Sequence, residues 1–250
     1  RAIQDGQTRY TPAPGIPALR QAIAEDIARF SAPEHNFEAA GVVVSAGVKQ
    51  ALFNVLFSLF GPGDKVLIPA PYWTSYPELV QLARAEPVIV DGDPENDYKV
   101  DRARLEAAAD DQTRAILLNS PSNPSGATYT HEELRSIAEW AAERDIWIIS
   151  DEIYRRIYFE GPLAPGIFDL PPELTRKAVL LDGTSKAFAM TGWRVGFSYT
   201  APEVAAKLSA LQSQTTSNAS TPAQYAALAA YQLRDEVDEA VETMRAAFQR

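Results

Sequence analysis

The run LLDGTSKAFAMTGWRVGF, residues 180–197, sets one lysine, Lys186, behind an apolar strand-like segment, with Arg194 eight positions later. Its flanks, VLLDGTS and AFAMTGW, are apolar or small, and an amine held among such neighbours is available as a nucleophile. The alternative is a lysine that snorkels to the surface. A second candidate, Asp151, follows the apolar run DIWIIS, toward the buried end of a strand. A carboxylate there needs a cationic partner or takes up a proton. That partner can be a ligand, although an acid in SDE also caps turns. The segment VVVSAGVKQALF runs strand, glycine, helix, so the helix start at Gly47, Val48 and Lys49 offers N–H groups and a dipole to an anion. Such turns join strands to helices in every α/β protein, and by itself this one decides nothing. Trp73 in APYWTSYP, Tyr154 after SDEI and Asn123 in SPSNPSG are each compatible with plain packing or turn roles. Neither G-x-x-x-x-G-K-[ST] nor G-x-G-x-x-G occurs, which leaves out the P-loop and the dinucleotide fingerprint.

The elements that must position these residues follow from hydrophobic patterning. Strands are predicted over 42–45, 65–69, 87–90, 114–119, 146–150, 178–182 and 195–199. Apolar residues at i, i+3, i+4 predict helices over 17–30, 48–60, 132–143 and 202–212. That alternation implies an α/β fold, a mostly parallel seven-stranded sheet with helices on both faces. Ligands of such sheets bind beyond the carboxyl ends of the strands. The residues that follow the strands are Gly47 and Lys49, Tyr72 and Trp73, Asn119 to Asn123, Asp151 and Tyr154, then Ser185 and Lys186. They read as one site. No repeat, low-complexity tract or long linker divides residues 1–250, so a single domain is expected.

Composition narrows the class of partner. The 250 residues are 46% hydrophobic, enough for a substantial core, and carry a formal charge of −10. Without clustered Lys and Arg the chain is not a general nucleic-acid binder. No cysteine is present, which removes disulfides and thiolate chemistry, and His35 and His131 alone make no multi-histidine metal site. The apolar stretch ALFNVLFSLF at 51–60 is interrupted by Asn54 and Ser58 and is too short to span a bilayer. No charged-then-apolar signal pattern opens the sequence, and a cytoplasmic location is expected. It begins on RAIQDGQTRYTP and closes on VETMRAAFQR while the helical pattern is still running, so one or both ends of the natural protein are expected to lie outside it.

A cofactor with an aldehyde, a cationic ring nitrogen, a phenolate and a phosphate would use all the candidate groups together. Pyridoxal 5′-phosphate (PLP) has those four features. Lys186 would form the Schiff base, Asp151 would keep the ring nitrogen protonated, and the helix start with Arg194 would take the phosphate.

At these residues the sequence resembles the class I and II aminotransferases of the aspartate aminotransferase family, fold type I among PLP enzymes. The shared landmarks are YTPAPGIPALR, GVKQAL, PYWTSYPE, NSPSNPSG, SDEIY and SKAFAMTGWRVGF, in the family's order and spacing over almost the whole chain. The resemblance implies that residues 1–250 are the PLP-binding large domain, without the family's N-terminal segment and C-terminal small domain. It implies catalytic roles for Lys186, Asp151 and Tyr154. Asn123 and Tyr154 would serve the ring hydroxyl and Trp73 would stack on the ring. Gly47, Val48, Lys49, Ser185 and Arg194 would hold the phosphate, and Tyr10 would reach the partner's phosphate across a homodimer. Where the family often has a hydroxyl residue, three positions before the lysine, this chain has Gly183, so Thr184 or Ser185 is expected to substitute. The implied substrates are an amino acid, with an aspartate-type donor favoured, and a 2-oxo acid. Alternatives on the same scaffold are a PLP-dependent lyase or decarboxylase, and the PLP-sensing half of a transcription regulator.

Overall fold

The computed structural model describes residues 1–249. Its seven strands are β1 (Val42–Ser45), β2 (Lys65–Ala70), β3 (Glu86–Asp91), β4 (Thr113–Asn119), β5 (Trp147–Asp151), β6 (Ala178–Gly183) and β7 (Gly196–Tyr199). Each lies within a residue of its expected span. They form one sheet in the order β1-β7-β6-β5-β4-β2-β3. From β3 through β2, β4 and β5 to β6 every neighbouring pair is parallel. β7 runs antiparallel to both β1 and β6. The reason lies in the connection: β6 returns into β7 through the short segment that carries Lys186 and Arg194, with no crossover helix to bring the chain back to the same edge.

The helices are α1 (Pro17–Arg29), α2 (Val48–Leu59), α3 (Ser75–Leu82), α4 (Arg102–Ala108), α5 (His131–Glu143), α6 (Thr184–Ala187), α7 (Pro202–Thr215), α8 (Thr221–Gln232) and α9 (Arg234–Phe248). Alternate residues of the central strands feed two separate cores, as the period of two requires. On one face Ala115, Leu117, Ile149, Val179 and Leu181 meet Leu52, Val55 and Leu56 of α2, Val80 of α3 and Leu208 of α7. On the other, Ile116, Leu118, Ile148 and Leu180 meet Leu19 and Ile23 of α1, Ile137 and Trp140 of α5 and Ala227 of α8. Each fully buried Leu or Ile contributes about 1.5–3 kcal/mol by leaving water. None of the helices among the described residues is long and apolar enough to cross a membrane.

α1 and α2 each end one residue before the expected span, and two other helix ends differ from it for physical reasons. α5 starts one residue early because Thr130 and Glu133 form a reciprocal capping box: the Glu133 N–H donates to Thr130 Oγ1 at 3.2 Å, and the Thr130 N–H to Glu133 Oε2 at 2.7 Å. α7 runs three residues past Gln212, the end expected from the apolar spacing. The Gln212 amide is fully buried, donating to Ala13 O at 2.6 Å and Val44 O at 2.8 Å and accepting from Ser45 Oγ at 2.6 Å. A polar residue so completely paired belongs to the interior.

Candidate active site

At the carboxyl ends of β4, β5 and β6, facing the start of α2, lies a cavity of about 220 Å³ lined by Val48, Lys49, Trp73, Tyr76, Asn119, Asn123, Asp151, Ile153, Tyr154, Ser185, Lys186, Thr191 and Arg194. A larger cleft of about 320 Å³ sits at the opposite, amino-terminal end of β5 and β6, among Asp145, Trp147, Arg176 and Lys177. Lys177 there is tied up with Asp145 at 2.6 Å, and the cleft brings together none of the candidate groups. The smaller cavity holds the chemistry.

Asp151 is the last residue of β5 and only 3% exposed. Its Oδ2 accepts the Tyr76 hydroxyl at 2.8 Å, and its Oδ1 accepts the Ile153 N–H at 3.2 Å. It therefore caps its turn and also presents a carboxylate to the cavity. Burial raises its pKa to about 6, against the downward pull of those two hydrogen bonds. Tyr76 is pushed well above the usual phenol value, by burial first and by the Asp151 charge next, so it stays a donor. Asn119, at the end of β4, donates to the Asp151 carbonyl at 2.9 Å and accepts the Asn123 N–H at 2.7 Å, which pins the NSPSNPSG loop beside β5.

Lys186 lies on the four-residue α6, with its Nζ 5.5 Å from the centre of the Tyr154 ring. Ser185 also lines the cavity. Thr184 does not: it is fully buried and its hydroxyl donates to Val195 O at 3.2 Å. Of the two expected substitutes for a hydroxyl at Gly183, only Ser185 is available. Gly183 itself has no room for a side chain, because a Cβ there would stand 2.7 Å from the Cα of Gly196, its register partner on β7.

Trp73 meets Tyr76 edge-on, with ring centres 5.4 Å apart, and the Lys49 Nζ stands 4.8 Å from the Trp73 ring. Arg194 donates to Thr191 O at 3.1 Å. Gly47 is not a wall of the cavity but the clearance behind it. Its φ of +90° suits glycine, and a Cβ would lie 2.5 Å from the Arg194 guanidinium. The guanidinium thus stands beside the first turn of α2, whose leading N–H groups have no acceptor within the helix. Among the described residues no carboxylate pairs with Lys49, Lys186 or Arg194. Three cations against one buried carboxylate make the cavity a receptor for an anionic molecule.

Two expected residues lie elsewhere. Tyr10 is 90% exposed and outside the cavity. Tyr72 lines a separate small cavity with Tyr98 and Tyr129, because Trp73 and Tyr72 diverge at the start of α3. Tyr76 was absent from the expected set, although its position three residues after Trp73, where a helix begins, places both on one side.

Comparison with known proteins agrees with this arrangement. The family described as aminotransferase class I and II matches residues 1–250. The aspartate aminotransferase of Geobacillus stearothermophilus is 41% identical over 249 residues, covering all of this chain and 62% of that protein. The aspartate aminotransferase of Bacillus sp. strain YM-2 is 40% identical, covering 99% of this chain and 62% of that protein. The solved aspartate aminotransferase from Thermus thermophilus with maleate superposes with a TM-score of 0.93 at 37% identity, covering 100% of this chain and 64% of that one. The chain thus spans somewhat under two thirds of the length of these relatives.

Proposed function

The chain belongs to the class I and II aminotransferase family, and from that premise we propose that it is the cofactor-binding large domain of a PLP-dependent enzyme that moves an amino group from an aspartate-type amino acid to a 2-oxo acid. The observation that carries this reading is the convergence of Lys186, Asp151, Asn123, Tyr154 and Trp73 with Arg194 in one cavity.

The residues present fit the cofactor. A phosphate is the anion suited to an unpaired guanidinium beside a helix N-terminus, with the Ser185 hydroxyl and the clearance at Gly47 completing the cradle. Asp151, buried with no cation of its own, would supply the counter-charge to a protonated ring nitrogen. The Asn123 amide and Tyr154 hydroxyl would donate to the ring oxygen, and the Trp73 indole would stack on the ring face. When bound, PLP supplies an electron-accepting ring that stabilises negative charge at the substrate Cα. The chain's own residues do the remaining work. Lys186 would hold the cofactor aldehyde and, once displaced by the substrate amine, carry the proton away from Cα and back. Tyr76 would keep the Asp151 carboxylate oriented and charged. Lys49, unpaired at the mouth, suits the second carboxylate of a dicarboxylic substrate. The Thermus relative was solved with maleate, itself a dicarboxylate.

A homodimer and a cytoplasmic location belong to the same proposal; Tyr10, exposed and remote from its own cavity, is available to a second subunit. The test is the visible absorbance of the full-length protein with PLP, before and after adding aspartate or glutamate. A band that forms and then bleaches with the amino acid is expected, and Lys186→Ala should give no borohydride-stable adduct. An adduct in that variant would refute the role of Lys186. A wild-type band indifferent to a panel of amino acids would refute the transfer reaction.

A further inference from the structure

Four residues are too few for α6 to hold Lys186 through its own hydrogen bonds. Its anchors lie on either side. Upstream, the Thr184 N–H and hydroxyl both donate to Val195 O at 3.2 Å. Downstream, the Phe188 ring meets Tyr231 of α8 edge-on at 5.3 Å and lies 5.6 Å from the Arg156 guanidinium. Arg156 is itself held in place. It donates to both oxygens of Asp26 on α1, at 2.6 and 2.8 Å, and to Asp238 of α9 at 3.4 Å, and it packs over Phe30 at 5.2 Å.

The spacing along the chain gives this arrangement a consequence. Arg156 follows Tyr154 by two residues, and Phe188 follows Lys186 by two. One guanidinium therefore braces both segments whose side chains meet in the 5.5 Å contact between Lys186 Nζ and the Tyr154 ring. We propose that Arg156 is a positioning residue of the active site: by clamping Phe188 against α1 and α9, it sets where the Lys186 amine stands relative to Tyr154 and to the cofactor aldehyde. This rests on the PLP reading above. The role needs a flat, delocalised cation that lies over two aromatic rings while separate nitrogens reach two carboxylates, Nη2 to Asp26 and Nη1 to Asp238, and the single ammonium of lysine cannot do both.

The experiment mixes full-length protein with PLP and follows two signals. Quenching of tryptophan fluorescence reports initial binding, and the growth of the visible band reports capture by Lys186. Arg156→Met keeps apolar volume and removes the cation. It should leave initial binding at wild-type strength while slowing capture about 10- to 100-fold, the range expected when a reacting group is displaced by about an ångström. Arg156→Lys should recover only part of the rate. Phe188→Leu, which leaves Arg156 intact, should slow capture in the same direction. Arg29→Met is the control. Arg29 shares Asp238 at 3.5 Å and Phe30 at 5.1 Å with Arg156, and among the described residues the guanidinium over Phe188 is that of Arg156 and not of Arg29, so capture should stay at the wild-type rate.

Wild-type capture by a folded Arg156→Met protein would overturn the proposal, as would equal slowing by Arg29→Met, which would reduce the effect to general packing. Should Arg156→Met not fold, Phe188→Leu decides alone, and a wild-type rate in that variant overturns the proposal. A wild-type protein that forms no band with PLP would overturn the functional reading and this inference together; a normal wild-type band with unaltered variants overturns only the inference.

Discussion

Replacing Tyr76 by Phe removes one hydroxyl and leaves the ring, so the edge-on contact with Trp73 survives while Asp151 loses its 2.8 Å donor. A hydrogen bond to a charged group is worth about 1.5–3 kcal/mol, and at about 1.4 kcal/mol per pH unit its loss raises the midpoint of Asp151 by about one to two. The starting value is about 6, set by burial, so the variant should titrate at about 7–8. The other titratable groups around Asp151 are Glu152 and Tyr154 beside it and Lys186 across the cavity, and all are unchanged. The sign for cofactor binding follows from which form binds. Under the proposed function a protonated ring nitrogen would pair with ionised Asp151, so affinity should fall as pH drops through the midpoint of the cofactor-free protein. The variant therefore weakens first. If the midpoint rises by about 1.5, the affinity ratio of variant to wild type should be near one at about pH 9 and about one fifteenth at about pH 6. The assay is PLP titration of the full-length protein by fluorescence quenching across that range. A ratio that is depressed but flat with pH would mean that Tyr76 only packs, and a ratio of one throughout would mean that its hydroxyl does not act on Asp151 at all.

Other outcomes follow from the same geometry. In the cofactor-free protein the raised pKa of Asp151, from 3.8 to about 6, means that the native state holds more protons than the unfolded state between those values, so stability falls as pH rises through that window. Asp151→Asn should remove about 2–3 kcal/mol of that fall, read by urea denaturation at about pH 4 and pH 7; an unchanged pH dependence would contradict the buried, uncompensated carboxylate. Arg194→Met should weaken PLP about 10- to 100-fold, the worth of charge-assisted hydrogen bonds to phosphate, and leave pyridoxal unaffected. Equal weakening of both ligands would make Arg194 a structural residue. Gly47→Ala should act in the same selective way by pushing the guanidinium aside, with about 1–3 kcal/mol of backbone strain lowering the melting temperature as well; a variant that melts earlier but binds PLP normally would separate strain from the cradle.

What the sequence disclosed, and what it did not, divides along chain distance. Strand runs and the residues that close them are local signals, and a mostly parallel sheet with both faces buried turns its strand ends into one surface, so the sequence alone places Asn119, Asp151 and Lys186 together. Partners that meet across the fold had no such signature. Tyr76 reaches Asp151 from 75 residues away, and Gln212 finds Val44 across 168. Each reads locally as an ordinary helical residue, and only the packing of helix on sheet gives it a task. Arg156 follows the same rule, with Asp26 distant by 130 residues.

Gly183 shows how the two kinds of information combine. Its resemblance to a hydroxyl-bearing position raised the question of a missing phosphate contact, and the reason for glycine is invisible in one dimension: β7 returns antiparallel and sets Gly196 opposite it, leaving no space for a Cβ on Gly183, while the start of α2 at Gly47 and Val48 leaves none on Gly196. The close approach that excludes the side chain also joins the two strands flanking the turn that carries Lys186 and Arg194. Enlarging Gly183 to recover a hydroxyl would push those strands apart and displace both cations, so the hydroxyl is better supplied by Ser185, two residues on, where the cavity has room for it.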